Sequence, residues 1–459
     1  MPLVQPKVYL RLGSHAEKEY VEKTLNRFDG LIVGGNLLEA TPGASASLII
    51  KLCGKTNGVS YLIDPMTYAF GAYVDPVTGK SRTDLDWIKS DQKVKGQKGK
   101  IVRAIKSSYQ KLAQTMGTVF FGACSNQKAI EPADLASSQI RSQVAESVLE
   151  YQMARIRDIF AADPEYKDIA DQVPLPAALF APYFYIEASK KTDWTRLSWL
   201  LAAEAVQKGK SVPVHAVVCA PREYLTDANF LNDAVTNLPQ TKAAGVWLWF
   251  SQFDERVASE TELINFKKLV AALGSNMEVV NLHGGFFSLA LSRHGMAGIA
   301  HGVGYGEQKD VVPVIGQSTP TVRYYLPALY ARFGVPDIER CFTALGVNTP
   351  SEFFKKICDC VVCRGVIAGS LSNFREFGER HYSTPLSKRA AQTPAAAKRC
   401  RFHFLLCRLR ERDWIADKSN DDVTKQMSDS VSQWNSVVVQ DLRDGAAQVG
   451  LWKKILAMP

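Results

Sequence analysis

The chain lacks any apolar run of the ~18 residues that a membrane-spanning helix needs. Its opening residues, MPLVQPKVYLRLG, hold no long apolar core of the secretory kind. These two absences lead to an expectation of a cytoplasmic protein with no membrane partner. Cysteine is sparse, nine residues in 459. The odd number argues against a secreted disulfide framework, and a reducing compartment would keep the thiols free. No internal repeat and no long low-complexity segment is present, which excludes solenoids and disordered linkers. Acidic residues are missing altogether between His381 and Arg410. That stretch carries Lys388, Arg389, Lys398, Arg399, Arg401, Arg408 and Arg410. A second basic stretch, KVKGQKGKIVRAIK, holds Lys93, Lys95, Lys98, Lys100, Arg103 and Lys106. With a net charge of +9, two such runs point toward a polyphosphate partner, the alternative being solvated faces.

What is present is a rhythm of short apolar runs and longer amphipathic ones. The strand candidates are KVYLRL, GLIVGG, VSYLID, TVFFGA, ALFAPYFYIE, VPVHAVVCA, GVWLWFSQF, MEVVNLH, AGIAHGVGYG and VRYYLPALY. Several are apolar throughout, as expected of parallel strands covered on both sides. Helical segments fill the gaps. One is SSQIRSQVAESVLEYQMARIRDIFA, with Ile140, Val144, Val148, Tyr151 and Ile156 near one face. Another is SETELINFKKLVAALGS, opened by a capping box from Ser259 to Glu262. Strand then helix, repeated, predicts an α/β fold: a (β/α)8 TIM-like barrel first, an open doubly wound sheet second. The barrel is expected over 1–345, with a zinc-binding and helical region over 346–459. In a barrel, functional residues collect where strands end. Asp64, Asp254, His283 with Gly284 and Gly285, and Glu307 all follow directly on apolar runs. Any one of them could instead be a helix cap or turn residue.

Near the C-terminal end stands CDCVVC, with Cys358, Cys360 and Cys363 at spacings of two and three. Three thiolates within reach of one ion suit zinc, which takes four sulfur or nitrogen ligands. His403, in a segment of helical periodicity, is preferred over His381 as the fourth. A closed Cys3His set leaves no position for water, so this zinc would be structural. The competing readings are buried core cysteines, or a redox pair of Cys360 and Cys363.

A barrel with C-x-C-x-x-C and a later histidine resembles the tRNA-guanine transglycosylases, which exchange guanine in a nucleic acid for a 7-deazaguanine. DPMTYAF resembles that family's base-reading loop, on Asp64 and Tyr68. VVNLHGGFFSLALSR followed by GIAHGVGYGE resembles its paired glycine-rich strands, which carries over His283, Gly284, Gly285, Gly302 and Glu307. FDE, Phe253 to Glu255, resembles a third base-contacting loop. His283 stands where the family usually has glutamine, and the aspartate of its FDCV-like stretch matches only Asp359, inside the cysteine motif. These departures are more similar to the DNA-modifying branch. The resemblance implies DNA rather than tRNA as substrate, a 7-deazaguanine such as preQ0, structural zinc, and partner proteins of a DNA-modification system. It also implies a covalent sugar–carboxylate intermediate. Asp64 would then recognise the base and handle protons. Asp254 is a recognition residue by the family's order, yet the chemistry demands a nucleophile and Asp254 is the strand-end aspartate left to be the attacking carboxylate, with Asp359 its rival. Tyr68 and Tyr305 would offer aromatic faces. Alternatives are a tRNA-directed enzyme of the same chemistry, a catalytically inactive nucleic-acid-binding barrel in a modification or defence complex, and, if the cysteines are core, a small-metabolite barrel enzyme.

Overall fold

The computed structural model describes residues 5–54, 59–71, 73–74, 81–82, 88–93, 99–209, 211–311, 321–382 and 390–458. Eight strands form the centre: β1 (Lys7–Leu12), β2 (Gly30–Gly34), β3 (Ser60–Asp64), β4 (Leu179–Phe180), β5 (Val214–Pro221), β6 (Gly245–Ser251), β7 (Glu278–Asn281) and β8 (Met296–Gly302). Their order is β3-β2-β1-β8-β7-β6-β5-β4, and every pairing is parallel. The N-terminal strand therefore sits in the middle of the sheet, Lys7 opposite Gly298. The two edges approach each other, and Ala177 N, just before β4, donates to Tyr61 O of β3 at 2.9 Å. The result is a nearly closed TIM-like barrel with flanking helices.

Helices outside and side chains inside explain why the strands are apolar on both faces. Every residue of β6 is buried, as are all but the last of β5. Toward the strand starts the interior is filled by Tyr9, Phe180 and Trp247, with ring centroids 5.1–5.2 Å apart. Trp247 Nε1 donates to His215 Nδ1 at 2.8 Å, and burial holds that imidazole neutral, its pKa pushed down to about 4. The capping box at Ser259 and Glu262 starts helix Glu260–Gly274, as its sequence predicts.

Two strand candidates take other forms. TVFFGA lies in helix Thr118–Asn126, which buries Phe120 and leaves Phe121 exposed, a one-sided pattern that strands and helices share over so short a run. VRYYLPALY makes an antiparallel hairpin, Tyr324–Leu326 with Ala331–Phe333, because Pro327 cannot continue a ladder. The segment between β3 and β4 is a long insertion that carries the hairpin Lys89–Lys93/Ile101–Ile105 and helix Ser138–Ala161.

The chain beyond residue 345 packs directly on the barrel. Helix Pro394–Asp417 covers β8 and the first barrel helix: Phe404 meets His301 at 5.1 Å between centroids, and Phe402 meets Tyr20 at 4.9 Å. Helix Gln440–Leu456 docks through Trp452, whose Nε1 donates to Glu255 O at 3.1 Å and whose ring lies against Phe286 and Phe287. One hydrophobic core runs continuously through both regions.

Candidate functional site

The cysteine triplet folds into a nest of backbone N–H groups. Cys360 caps helix Val361–Ile367, its Sγ accepting from Cys363 N at 3.4 Å, and Cys358 Sγ accepts from Cys360 N at 3.5 Å. From the facing helix, His403 turns Nδ1 toward the sulfurs, 3.3 Å from Cys360, 3.5 Å from Cys363 and 3.9 Å from Cys358. The four donor atoms lie within 4.8 Å of one another, and all four residues are buried. Bonds of ~2.3 Å to sulfur and ~2.0 Å to nitrogen would place tetrahedral donors roughly 3.5–3.8 Å apart, so the set fits one metal ion. The outer shell fits as well. His403 Nε2 meets Tyr325 O at 2.6 Å, which assigns the proton to Nε2 and leaves Nδ1 as ligand. Tyr324 stacks on the imidazole at 4.2 Å, and its hydroxyl reaches Cys363 Sγ at 3.2 Å. His381 lies exposed in the short strand Arg380–His381, away from the cluster. A further sulfur went unnoticed in the sequence: Cys407, one turn after His403, sits 3.6 Å from Nδ1 and 3.9 Å from Cys358 Sγ.

At the C-terminal mouth of the barrel a cavity of about 510 Å³ opens. Its wall includes Tyr68, His283, Gly302 and Tyr305, drawn from the ends of different strands, together with Arg11, Glu17, Lys106 and Lys309. Asp64 stands behind this wall, 1% exposed. Its carboxylate takes an ion pair from Arg11 Nη2 at 2.8 Å, the Tyr183 hydroxyl at 2.6 Å and Met66 N at 2.9 Å. Met66 adopts a left-handed φ of 53°, which turns the chain sharply enough for its N–H to point back at Asp64. Tyr68 stacks on Tyr183 at 5.6 Å and meets Trp249 edge-on at 4.8 Å. Burial, with Arg11 and Lys309 nearby, pushes His283 well below the usual imidazole range, so it is neutral. Burial and the Arg11 charge also hold Lys309 down at about 8. Gly302 and Gly306 approach so closely that a Cβ on Gly306 would overlap the Gly302 backbone, which closes the loop tightly around the cavity.

The remaining strand-end residues go elsewhere. Asp254 does not line this cavity: both its oxygens are taken by Arg256, through Nε at 2.9 Å and Nη2 at 2.7 Å. Glu307 is buried between Arg332 and Arg408, and Arg408 continues to Glu411 at 2.7 Å. Gly284 and Gly285 provide close approach rather than a cavity wall. Gly284 lies on Ile299, and Gly285 N donates to Glu255 Oε1 at 3.0 Å where a Cβ would meet the same carboxylate. Glu255, held by Gly285, Phe287 and Ser288, is a buried anchor whose carboxyl burial raises to about 7. Asp359 pairs with Arg364 and Arg410 and lines neither the mouth cavity nor the arginine-lined cavity beside it. Arg11, Tyr183 and Lys309 were not singled out from sequence. A cation near the C-terminal end of the strand KVYLRL, between two leucines, was the available signal for Arg11.

The basic helix is largely spent on internal pairs. Lys398 pairs with Glu19, Arg399 with Glu376, Arg408 with Glu307 and Glu411, and Arg410 with Asp359, while Arg401 reaches the Tyr20 hydroxyl. Lys388 and Arg389 lie outside the described residues, as do Lys95 and Lys98 of the other run. Of that run, Lys93, Arg103 and the adjacent Lys100 belong to the hairpin, and Lys106 reaches the mouth cavity. No protein-family model matches the chain, and no curated protein matches it. Fold and geometry thus define a TIM-like α/β barrel with a buried cluster of three cysteines and a histidine able to hold a metal ion. Among the described residues no helix is long and apolar enough to cross a membrane.

Proposed function

We propose that the protein is a guanine transglycosylase of nucleic acid, with DNA before tRNA as substrate, inserting a 7-deazaguanine such as preQ0. The observation that carries this reading is the mouth cavity. It gathers Tyr68, His283, Gly302 and Tyr305 around a space that takes a base with room to spare, with the Asp64 carboxylate fixed behind them by three donors. A base leaving its stack needs such an aromatic-walled pocket and a positioned acceptor for its N–H edge. In the exchange, a carboxylate oxygen bonds to the sugar carbon as the glycosidic bond breaks and guanine departs. The nitrogen of the incoming base then forms the new glycosidic bond and releases the carboxylate. In this reading Asp64 recognises the base and moves its proton, for which it must come forward from behind the wall and give up the Tyr183 or Arg11 contact. Asp254 is the attacking group, and it must leave Arg256 and turn toward the cavity that it does not now line. Zinc, held by Cys358, Cys360, Cys363 and His403, would be structural, since the set is closed and buried. It would fasten the start of helix Val361–Ile367 to helix Pro394–Asp417.

A second reading is a catalytically inactive nucleic-acid-binding barrel that works with partner proteins. One observation favours it: both candidate carboxylates are already in ion pairs, Asp64 with Arg11 and Asp254 with Arg256. Incorporation of labelled 7-deazaguanine or guanine into duplex DNA and into tRNA separates the two. Exchange should fall ~10²–10⁴-fold in Asp64→Asn, the usual range for a lost proton-transfer group. A covalent protein–nucleic acid adduct should form in the parent and not in Asp254→Asn. Nucleic-acid binding with no incorporation into either substrate would leave the second reading standing.

A further inference from the structure

Beside the mouth cavity lies a larger one, about 850 Å³, that the chemistry above does not use. Among the described residues Arg256, Arg323, Arg332 and Arg380 line it, against two acids, Glu307 and Asp337. Both acids are already engaged, Glu307 by Arg332 and Arg408, Asp337 by Arg340. Arg332 is the informative residue. It is 6% exposed, and one nitrogen serves Glu307, yet Nε and Nη2 have no hydrogen-bond partner among the described residues. Its guanidinium carbon lies over Phe404, 3.9 Å from the ring centroid, and 5.2 Å from that of Tyr305. A buried guanidinium with two unsatisfied nitrogens is costly unless an anion completes it. Arg256 is held by Asp254 through Nε and Nη2, and Arg323 and Arg380 stand exposed at the rim. Tyr305, Gly306 and Gln308 line both cavities, so the two spaces meet at this one loop.

We infer that the arginine-lined cavity is a phosphate site, filled by the backbone phosphate next to a nucleotide whose base occupies the barrel mouth. Guanidinium forks match phosphate oxygens, and a base and its flanking phosphate would lie on opposite sides of the Tyr305 loop. The assignment rests on the nucleic-acid reading of the mouth cavity but not on base exchange. It also relocates the cationic contact, away from helix Pro394–Asp417, whose charges are paired internally.

The test uses the full chain and the double variant Arg323→Gln/Arg380→Gln, whose rim positions leave the buried pairs intact. Binding of a labelled single-stranded oligonucleotide is measured against salt, with inorganic phosphate and a free nucleoside monophosphate as separate probes. The slope of log affinity against log salt counts neutralised phosphates, ~0.7 for each on a single strand, so a double variant that loses this one site should flatten it by up to about 0.7. Methylphosphonate linkages flanking the bound base should weaken binding to the parent and add nothing in the variant. An unchanged slope in the variant overturns the site. Sensitivity confined to free phosphate or nucleotide, with the oligonucleotide indifferent, overturns the polynucleotide assignment. Intact, variant-sensitive oligonucleotide binding in a protein that exchanges no base would refute transglycosylation and still support the phosphate site.

Discussion

Cys360 has two jobs, and substitution can separate them. Its sulfur lies 3.3 Å from His403 Nδ1 within the donor cluster, and it caps helix Val361–Ile367 through Cys363 N. Cys360→Ser keeps a side-chain cap and loses the thiolate, while Cys360→Ala loses both. An N-cap is worth ~1 kcal/mol over alanine, so the alanine variant should be the less stable by about that amount. The larger loss is common to both. A ligand held at 1,000 times its Kd stabilises the folded state by ~4.1 kcal/mol, and at ~2 °C per kcal/mol in a large domain both variants should melt roughly 8 °C lower. Metal content measured beside thermal unfolding decides the matter: about one equivalent in the parent and a clear deficit in both variants. A chelator should lower the parent's midpoint to that of the serine variant and leave the variant unmoved. Acid should also release the ion, because each departing thiolate takes up a proton. A full equivalent of metal in Cys360→Ser, or a parent stripped of metal that melts unchanged, would refute the assignment.

Arg408→Met removes the cation that bridges Glu307 and Glu411 in a buried network and should cost ~3–5 kcal/mol, read as a lower urea midpoint. Lys309, held down at about 8, predicts a pH effect on anion binding. Its charge is present below pH 8 and gone above, so oligonucleotide affinity should decline as pH rises through about 8, and that component should vanish in Lys309→Met. The stability sign is opposite: the cost of burying the cation is full below about 8 and is relieved as pH climbs toward the free-lysine value, because the unfolded chain binds the extra proton there.

The barrel was readable because strands covered on both faces carry a strong signal, as in GVWLWFS, every residue of which is buried. TVFFGA failed because a run of six residues holds too little periodicity to exclude a helix. Soft ligands at tight spacing exposed the cysteine cluster, and the helical pattern around His403 supplied the fourth donor. Cys407 stood four residues further along the same helix face and was legible by the same rule. Strand ends pointed to Asp64 and His283, and the family resemblance to Tyr68, but neither to what else holds them. The pairs that claim Glu307 and the basic helix join segments far apart in the chain, Arg408 with Glu307 and Lys398 with Glu19, and only the fold reveals them. The Asp254–Arg256 pair, by contrast, is local and was open to inspection.

The central position of β1 has a consequence for how this molecule is made. Lys7–Leu12 leaves the ribosome early, yet one of its two neighbours is β8, with Lys7 opposite Gly298 and Arg11 opposite Gly302. At ~5–20 residues per second, roughly 15–60 s of synthesis separate the two strands. Until then β1 can pair with β2 alone, and its other edge, with Val8, Leu10 and Leu12 beside it, has no native cover. The nascent chain thus carries an open strand edge from the emergence of β1 until that of β8. Chaperone occupancy on translating ribosomes should be greatest before β8 emerges and fall once Gly302 has cleared the tunnel.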